Sequence, residues 1–239
     1  MSNAPPTMGT IYPRGVIDLH SHTIHSDGEV GPAELARRAY KKGYVVLGLS
    51  DHVDQSNLKS VLSAAIEAAG SLSGVIGLTL LAGVELTHVP PSQIADQVAL
   101  ARDLGADYVV VHGESLVEPV APGTNFEAIK AKCDILAHPG LVTDEEVALA
   151  AKNGVYLELT SRGGHDWGNG HVAAMAQKHG AKLLINSDVH APDELLTPVA
   201  QKLVGLGAGL SHERFNGLMD EALSLAKKLA AKGGRLDKT

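Results

Sequence analysis

Short apolar runs, nearly all of them ending in an imidazole or a carboxylate, constrain what this chain can fold into more than any other feature. Val16–Leu19 runs into His20, Val45–Leu49 into Ser50-Asp51-His52, and Leu78–Val84 into Glu85. Tyr108–Val111 meets His112, Asp134–Ala137 meets His138, and Lys182–Ile185 leads through Asn186 and Ser187 to Asp188 and His190. Only the sixth run, Val155–Leu159, is followed by Thr160-Ser161-Arg162 instead. Amphipathic stretches separate the runs. Helices are expected from Pro32 to about Lys42, Ser56 to Leu72, Ser92 to Leu104, Asn125 to Lys132, and from a Thr143 cap to Asn153. Others are expected over Gly170–His179, Pro192–Val204 and Ser211–Ala231. Buried strands alternating with helices call for a parallel sheet covered on its outer side. An open sheet would spread the polar strand ends along an edge, whereas a closed barrel gathers them at one mouth. The expected fold is therefore a seven-stranded (β/α) barrel with one site at its C-terminal face.

The 239 residues suit one domain of this kind, spanning 14–232, with a polar, Pro-rich lead over 1–13 and a tail over 233–239. No apolar run approaches the ~20 residues needed to span a bilayer, so no membrane partner is expected. The lead lacks the basic-then-apolar layout of a signal peptide, which makes the cytoplasm the default location. Cys133 is the single cysteine. That rules out an internal disulfide and a thiolate metal site, and Cys133 reads as a small buried side chain rather than a nucleophile. The formal charge of −7 argues against a broad nucleic-acid-binding surface, leaving at most a small nucleotide as substrate.

The donor residues set the chemistry. His20 and His22 stand at i and i+2 of an extended segment, so their rings leave the same face and form half a metal site. His–x–His alone is common. Taken singly, Glu85 could be a solvated turn residue, His112 a rim imidazole and Asp188 a helix cap. Six strand ends out of seven carrying metal-ligating residue types are not explained that way. A His/Asp/Glu set without Cys favours zinc, manganese or iron. So many donors exceed what one ion uses, which calls for Glu85 or an aspartate to bridge two ions, and clustered ions suit phosphate-ester hydrolysis.

These motifs, His20-Ser-His22, His25-Ser-Asp27-Gly28, Ser50-Asp51-His52, Glu85, His112, His138-Pro139 and Asp188-Val189-His190, resemble the PHP (polymerase and histidinol phosphatase) superfamily, from about Val16 to Ala191. The resemblance implies a distorted (β/α)7 TIM-like barrel holding two to three divalent ions. His20, His22, Glu85 and Asp188 would hold the first, and Glu85, His112 and His138 the second. Asp27, His52 and His190 would hold the third, with His25 as the alternative ligand to Asp27.

The activity expected is hydrolysis of a small phosphate monoester or phosphodiester, histidinol-phosphatase-like, by a metal-activated water. Arg162 is placed to contact the phosphate, and His25 or His165 to protonate the leaving group. Trp167, in the same Gly-rich segment as His165, would shape substrate choice or pin the loop. His88, His171, His179 and His212 are read as surface or helix-packing groups. Two other readings compete. An amidohydrolase-type barrel also begins with His–x–His but calls for a bridging lysine after strand four, where His112 stands. A non-catalytic PHP-like scaffold is disfavoured by the full donor set and the acidic charge.

Overall fold

A computed structural model describes residues 15–235. The strands are β1 (Val16–Asp18), β2 (Tyr44–Leu49), β3 (His52–Val53), β4 (Thr79–Leu86), β5 (Tyr108–His112), β6 (Ile135–Ala137), β7 (Tyr156–Thr160) and β8 (Lys182–Asn186). All pair in parallel, in the order β1-β2-β4-β5-β6-β7-β8. The two-residue β3 is the outer end of the second strand, since Leu49 pairs with Ala82 and His52 with Glu85 in one continuous register. The result is a nearly closed barrel of seven parallel strands. Each strand is buried on both faces because helices cover the outside, which is why the strands read as apolar runs and not as alternating ones.

The seam between β8 and β1 is closed differently from the other strand junctions. Among the described residues no ladder joins the two strands. The segments just beyond them meet at an isolated bridge, Ser21 to Val189, with backbone bonds from His22 N to Val189 O (2.9 Å) and from Asp188 N to His20 O (3.1 Å). Side chains do the remaining work. Gln201 Nε2 donates to both Ile17 O (2.8 Å) and Ile185 O (3.0 Å), and Leu19 N donates to Asn186 Oδ1 (2.9 Å). These bonds satisfy buried backbone groups that a ladder would otherwise pair.

The helices are α1 (Pro32–Lys41), α2 (Leu58–Leu72), α3 (Ile94–Asp103), α4 (Thr124–Lys130), α5 (Asp144–Asn153), α6 (Asn169–His179), α7 (Pro198–Gly207) and α8 (His212–Lys232). Thr143 and Glu146 form a reciprocal capping box at α5. The single helix expected over Pro192–Val204 is instead a 3₁₀ turn, Pro192–Glu194, followed by α7. Pro198 cannot donate to a preceding turn, Thr197 is extended and caps the new helix, and Leu195 and Leu196 between them are drawn into the core. α8 packs against β1, β4 and β8, with Ala222, Leu225, Ala226 and Leu229 meeting Ile17, Leu81, Ile135 and Leu184, and so plugs the N-terminal end of the barrel.

Gly233–Arg235, expected as the start of a frayed tail, is anchored: Arg235 Nε donates to the buried Asp107 Oδ2 at 2.6 Å. The expected lead, 1–13, lies outside the described residues. No helix among the described residues is long and apolar enough to cross a membrane. Cys133 is buried, and desolvation pushes its thiol well up.

Inside the barrel, the fully buried Tyr108 ring lies against Gly48 and Gly83. A Cβ on Gly83 would stand 2.4 Å from Tyr108 Cζ, and one on Gly48 2.1 Å from its hydroxyl. The two glycines make room for the ring. Gly83→Ala is therefore expected to destabilise by about 1–3 kcal/mol through overpacking, read as a lower urea midpoint. Tyr108→Leu in the same chain should lessen the penalty of that substitution in a double-mutant cycle.

Candidate metal centre

The strand ends deliver their donors to one mouth. His20 follows β1 and is fully buried. Its Nδ1 lies 2.8 Å from Glu158 Oε1, and a carboxylate there can only accept, so the proton is assigned to Nδ1 and the Nε2 lone pair faces inward. Nε2 lies 3.3 Å from Glu85 Oε1 and 3.5 Å from Asp188 Oδ1. His22 Nε2 lies 3.0 Å from Asp188 Oδ1 and 3.7 Å from Glu85 Oε2. His138 Nε2 comes within 3.5 Å of Asp188 Oδ2 and 3.9 Å of Glu85 Oε1. Glu85, inside β4 near its end, also meets His52 Nδ1 at 2.6 Å. Glu85 and Asp188 thus sit between imidazoles on several sides.

A second group forms on the loop after β1. Asp27 Oδ1 lies 3.3 Å from His190 Nε2, 3.5 Å from His52 Nε2 and 3.9 Å from His22 Nδ1. The loop is shaped by the buried Asp51, which accepts from Thr23 N, Thr23 Oγ1 and Ser26 Oγ. Gly28 is required there, because a Cβ would stand 2.4 Å from His22 O. The geometry brings Asp27 to the group and leaves His25 exposed. The only hydrogen bond His25 makes among the described residues is from its backbone N–H to Thr23 Oγ1.

The electrostatics are those of a cavity built for positive charge. Burial alone would raise the Glu85 and Asp188 carboxyls, yet the neighbouring imidazoles hold both well below the usual range. Burial opposes charge on His20 too, but Glu158, Asp188 and Glu85 keep it well above its ordinary value. Burial pushes His22 down to about 4, so it is neutral at pH 7 with a lone pair to offer. His20 Nε2, both ring nitrogens of His22, Glu85 Oε1, His138 Nδ1 and Asp188 Oδ1 are buried without a properly directed hydrogen bond. Buried polar atoms in such number are rare unless something else satisfies them, and nitrogen and carboxylate oxygen in this mixture suit zinc, manganese or iron. The donor set fits a metal. His138 (φ 25°) and Asp188 (φ 55°) also hold left-handed backbone conformations that cost non-glycine residues energy and that concentrate at functional sites.

Other candidate residues fall elsewhere. Arg162 is ion-paired to Glu194, Nη1 lying 3.0 and 3.1 Å from its two carboxylate oxygens. Glu194 in turn accepts from the backbone N–H groups of His190 and Ala191. The pair borders a cavity of about 600 Å³ with Ser161, Gly163, Ser187 and Leu196. Trp167 is 72% exposed. His165 is buried beside His112 and His138. His88, read as a surface group, is exposed in the loop after β4, where its ring also stacks on His112 and meets Glu118 at 3.3 Å.

Two carboxylates at the site are not strand-end residues. Glu158 is the middle residue of β7 and points into the barrel, where Oε1 accepts from His20 Nδ1 and Asn186 Nδ2 and Oε2 from His138 N. A lone glutamate inside the apolar run Tyr156–Thr160 was a usable signal, because a buried charge needs partners. Glu118, in the loop after β5, left no comparable trace in the sequence.

A parallel barrel with this donor set at its C-terminal mouth defines a metal-dependent hydrolase. The chain belongs to the PHP domain family, whose model matches residues 18–187. It is 43% identical over 215 residues to an uncharacterized protein of Methanocaldococcus jannaschii, covering 89% of this chain and 99% of the relative. It is 28% identical over 203 residues to a probable phosphatase of Thermoanaerobacter sp., covering 73% of this chain and 79% of that one. Among solved structures, a chain of archaeal ribonuclease P with mature tRNA superposes with a TM-score of 0.65. At 16% identity, over 89% of this chain and 91% of that one, this likeness shows the fold alone.

Proposed function

We propose that this protein hydrolyses a small phosphate monoester or phosphodiester using two to three divalent ions, zinc, manganese or iron, held at the barrel mouth. The observation that carries the reading is the sharing of donors: Glu85, Asp188 and His22 each face more than one neighbouring imidazole or carboxylate group, as bridged ions require. His20, His22, Glu85 and Asp188 would hold one ion, His112 and His138 with Glu85 a second, and Asp27, His52 and His190 a third. The similarity to a probable phosphatase supports a phosphate ester over an amide. Bound ions supply a water deprotonated near neutral pH and neutralise charge developing on the phosphoryl oxygens.

The chain's own residues do the rest. Glu158 holds His20 in the tautomer that offers Nε2. Asp51 fixes the loop that carries Asp27. His25, exposed on that loop, hands a proton to the leaving group. Arg162 reaches a substrate phosphate by exchanging Glu194 for it. The small phosphorylated substrate would enter from the open mouth.

The test is release of the chromophore from a chromogenic phosphate monoester and a chromogenic phosphodiester, and product formation from a panel of phosphorylated metabolites, after stripping the protein and reloading it with manganese, zinc or iron in turn. Metal-dependent turnover that disappears on chelation is expected. Fully loaded protein that hydrolyses neither a phosphate monoester nor a phosphodiester, while cleaving an amide or lactone or nothing at all, would overturn the reading.

A further inference from the structure

The family pattern draws no metal ligand from the seventh β segment or the loop that follows it. The structure nevertheless places His165, from the 3₁₀ turn His165–Gly168 after β7, in a compact trio with His112 and His138. Ligand atoms of the three lie within 4.8 Å of one another. The ring of His138 is 4.4 Å from that of His165 and 4.5 Å from that of His112, centroid to centroid. All three are more than nine-tenths buried.

Each outer ring has its far nitrogen occupied. His112 Nδ1 donates to Gly113 O at 3.0 Å, and His165 Nδ1 pairs with Ser115 Oγ at 2.8 Å. Both Nε2 atoms therefore turn toward the trio, which is the arrangement that orients metal-ligating imidazoles. His138 Nδ1 is buried with no hydrogen bond. Glu118 closes the open side, its Oε2 lying 3.3 Å from His112 Nε2 and its Oε1 3.3 Å from His165 Nε2.

The position of His165 is built by backbone packing. A Cβ on Gly164 would stand 3.2 Å from Val117, and one on Gly168 would stand 3.2 Å from the backbone of Gly140. The loops after β5, β6 and β7 therefore pack closely here, around the turn that carries His165.

We infer that His165 is a ligand of the second metal ion, completing a three-imidazole set with His112 and His138 beside Glu85, with Glu118 offering a further, anionic donor. The inference rests on the metal-dependent reading proposed above and adds to it a ligand that the strand-end motifs do not include. It also removes His165 from the role of leaving-group acid, because an Nε2 that binds an ion has no proton to give.

The experiment compares wild type, His165→Asn and Ser115→Ala, stripped and reloaded with Co²⁺ or Zn²⁺. Bound ions per chain are counted by elemental analysis at limiting chelator, and the Co²⁺ visible spectrum is recorded. Asn keeps a polar group facing Ser115 while removing Nε2, so the loop retains its anchor. His165→Asn should hold one ion at least tenfold more weakly, with altered Co²⁺ absorption. Ser115→Ala should weaken the same ion by roughly 10- to 100-fold, as expected on losing an orienting partner. Both variants keeping wild-type stoichiometry, affinity and spectrum would overturn the assignment, as would a folded wild type that takes up no ion. Because ions are counted without turnover, a failed phosphatase assay and a failed ligand assignment register separately.

Discussion

Glu85→Gln is expected to abolish most activity, by on the order of 10²- to 10³-fold or more, and to cost the protein at least one bound ion per chain. The reason is its position. Glu85 is fully buried and its two oxygens face His20, His22, His52 and His138, so it is the carboxylate most able to serve two ions together. Gln keeps the shape and removes the charge that the cations need. It also turns an amide N–H₂ into the space where the carboxylate faced its imidazoles and the cations would lie, so the site loses attraction. Elemental analysis of the reloaded variant, read beside its turnover, checks this. Wild-type metal content with near-wild-type turnover would show that Glu85 does not bridge ions.

The second large effect is expected at a residue that would touch neither ion nor substrate. In Glu158→Gln, one carboxylate oxygen becomes a donor, yet all three partners of Glu158 donate to it: His20 Nδ1, Asn186 Nδ2 and His138 N. At least one buried donor is left facing another donor, at a cost of about 1–3 kcal/mol. If His20 turns its proton to Nε2 in response, the lone pair that faces Glu85 and Asp188 is lost. Metal affinity should fall by roughly 10- to 100-fold. Turnover at limiting metal should fall with it and recover at high metal concentration, with KM little changed. Glu158→Asp retains the charge and should keep more metal than Glu158→Gln. A residue that only supported the fold would lower stability without this metal-concentration rescue. Unchanged metal affinity in Glu158→Gln would sink the argument.

Glu158 shows where reading the chain ran out. The strand-end donors were legible because barrel topology sends every strand's C-terminal end to one mouth, whatever the side chains do on the way. That rule puts His20, His22, His52, Glu85, His112, His138, Asp188 and His190 near the mouth once the strands are located, but it also puts Asp51 there, and the division into ion ligands comes from the family resemblance. Glu158 sits mid-strand, and only the pleat of β7 decides that it faces inward toward His20. The Pro192–Val204 segment failed for a related reason. Its composition suits a helix, but burial of Leu195 and Leu196 between Glu194 and Pro198 sets the break.

Loop residues were beyond local reasoning altogether. Whether Arg162 greets a substrate or Glu194, and whether His165 stands at the rim or beside His138, depends on how loops from three different strands pack. The approaches of Gly164 to Val117 and Gly168 to Gly140, and the pairing of Arg162 with Glu194, all join segments distant in the chain. Local patterning was enough for the fold class and the mouth, because apolar strand runs and the helices between them are short-range properties of the chain. The partners that aim those donors came only with the folded chain, since a hydrogen bond such as that between Glu158 and His20, 138 residues apart, leaves no periodic mark.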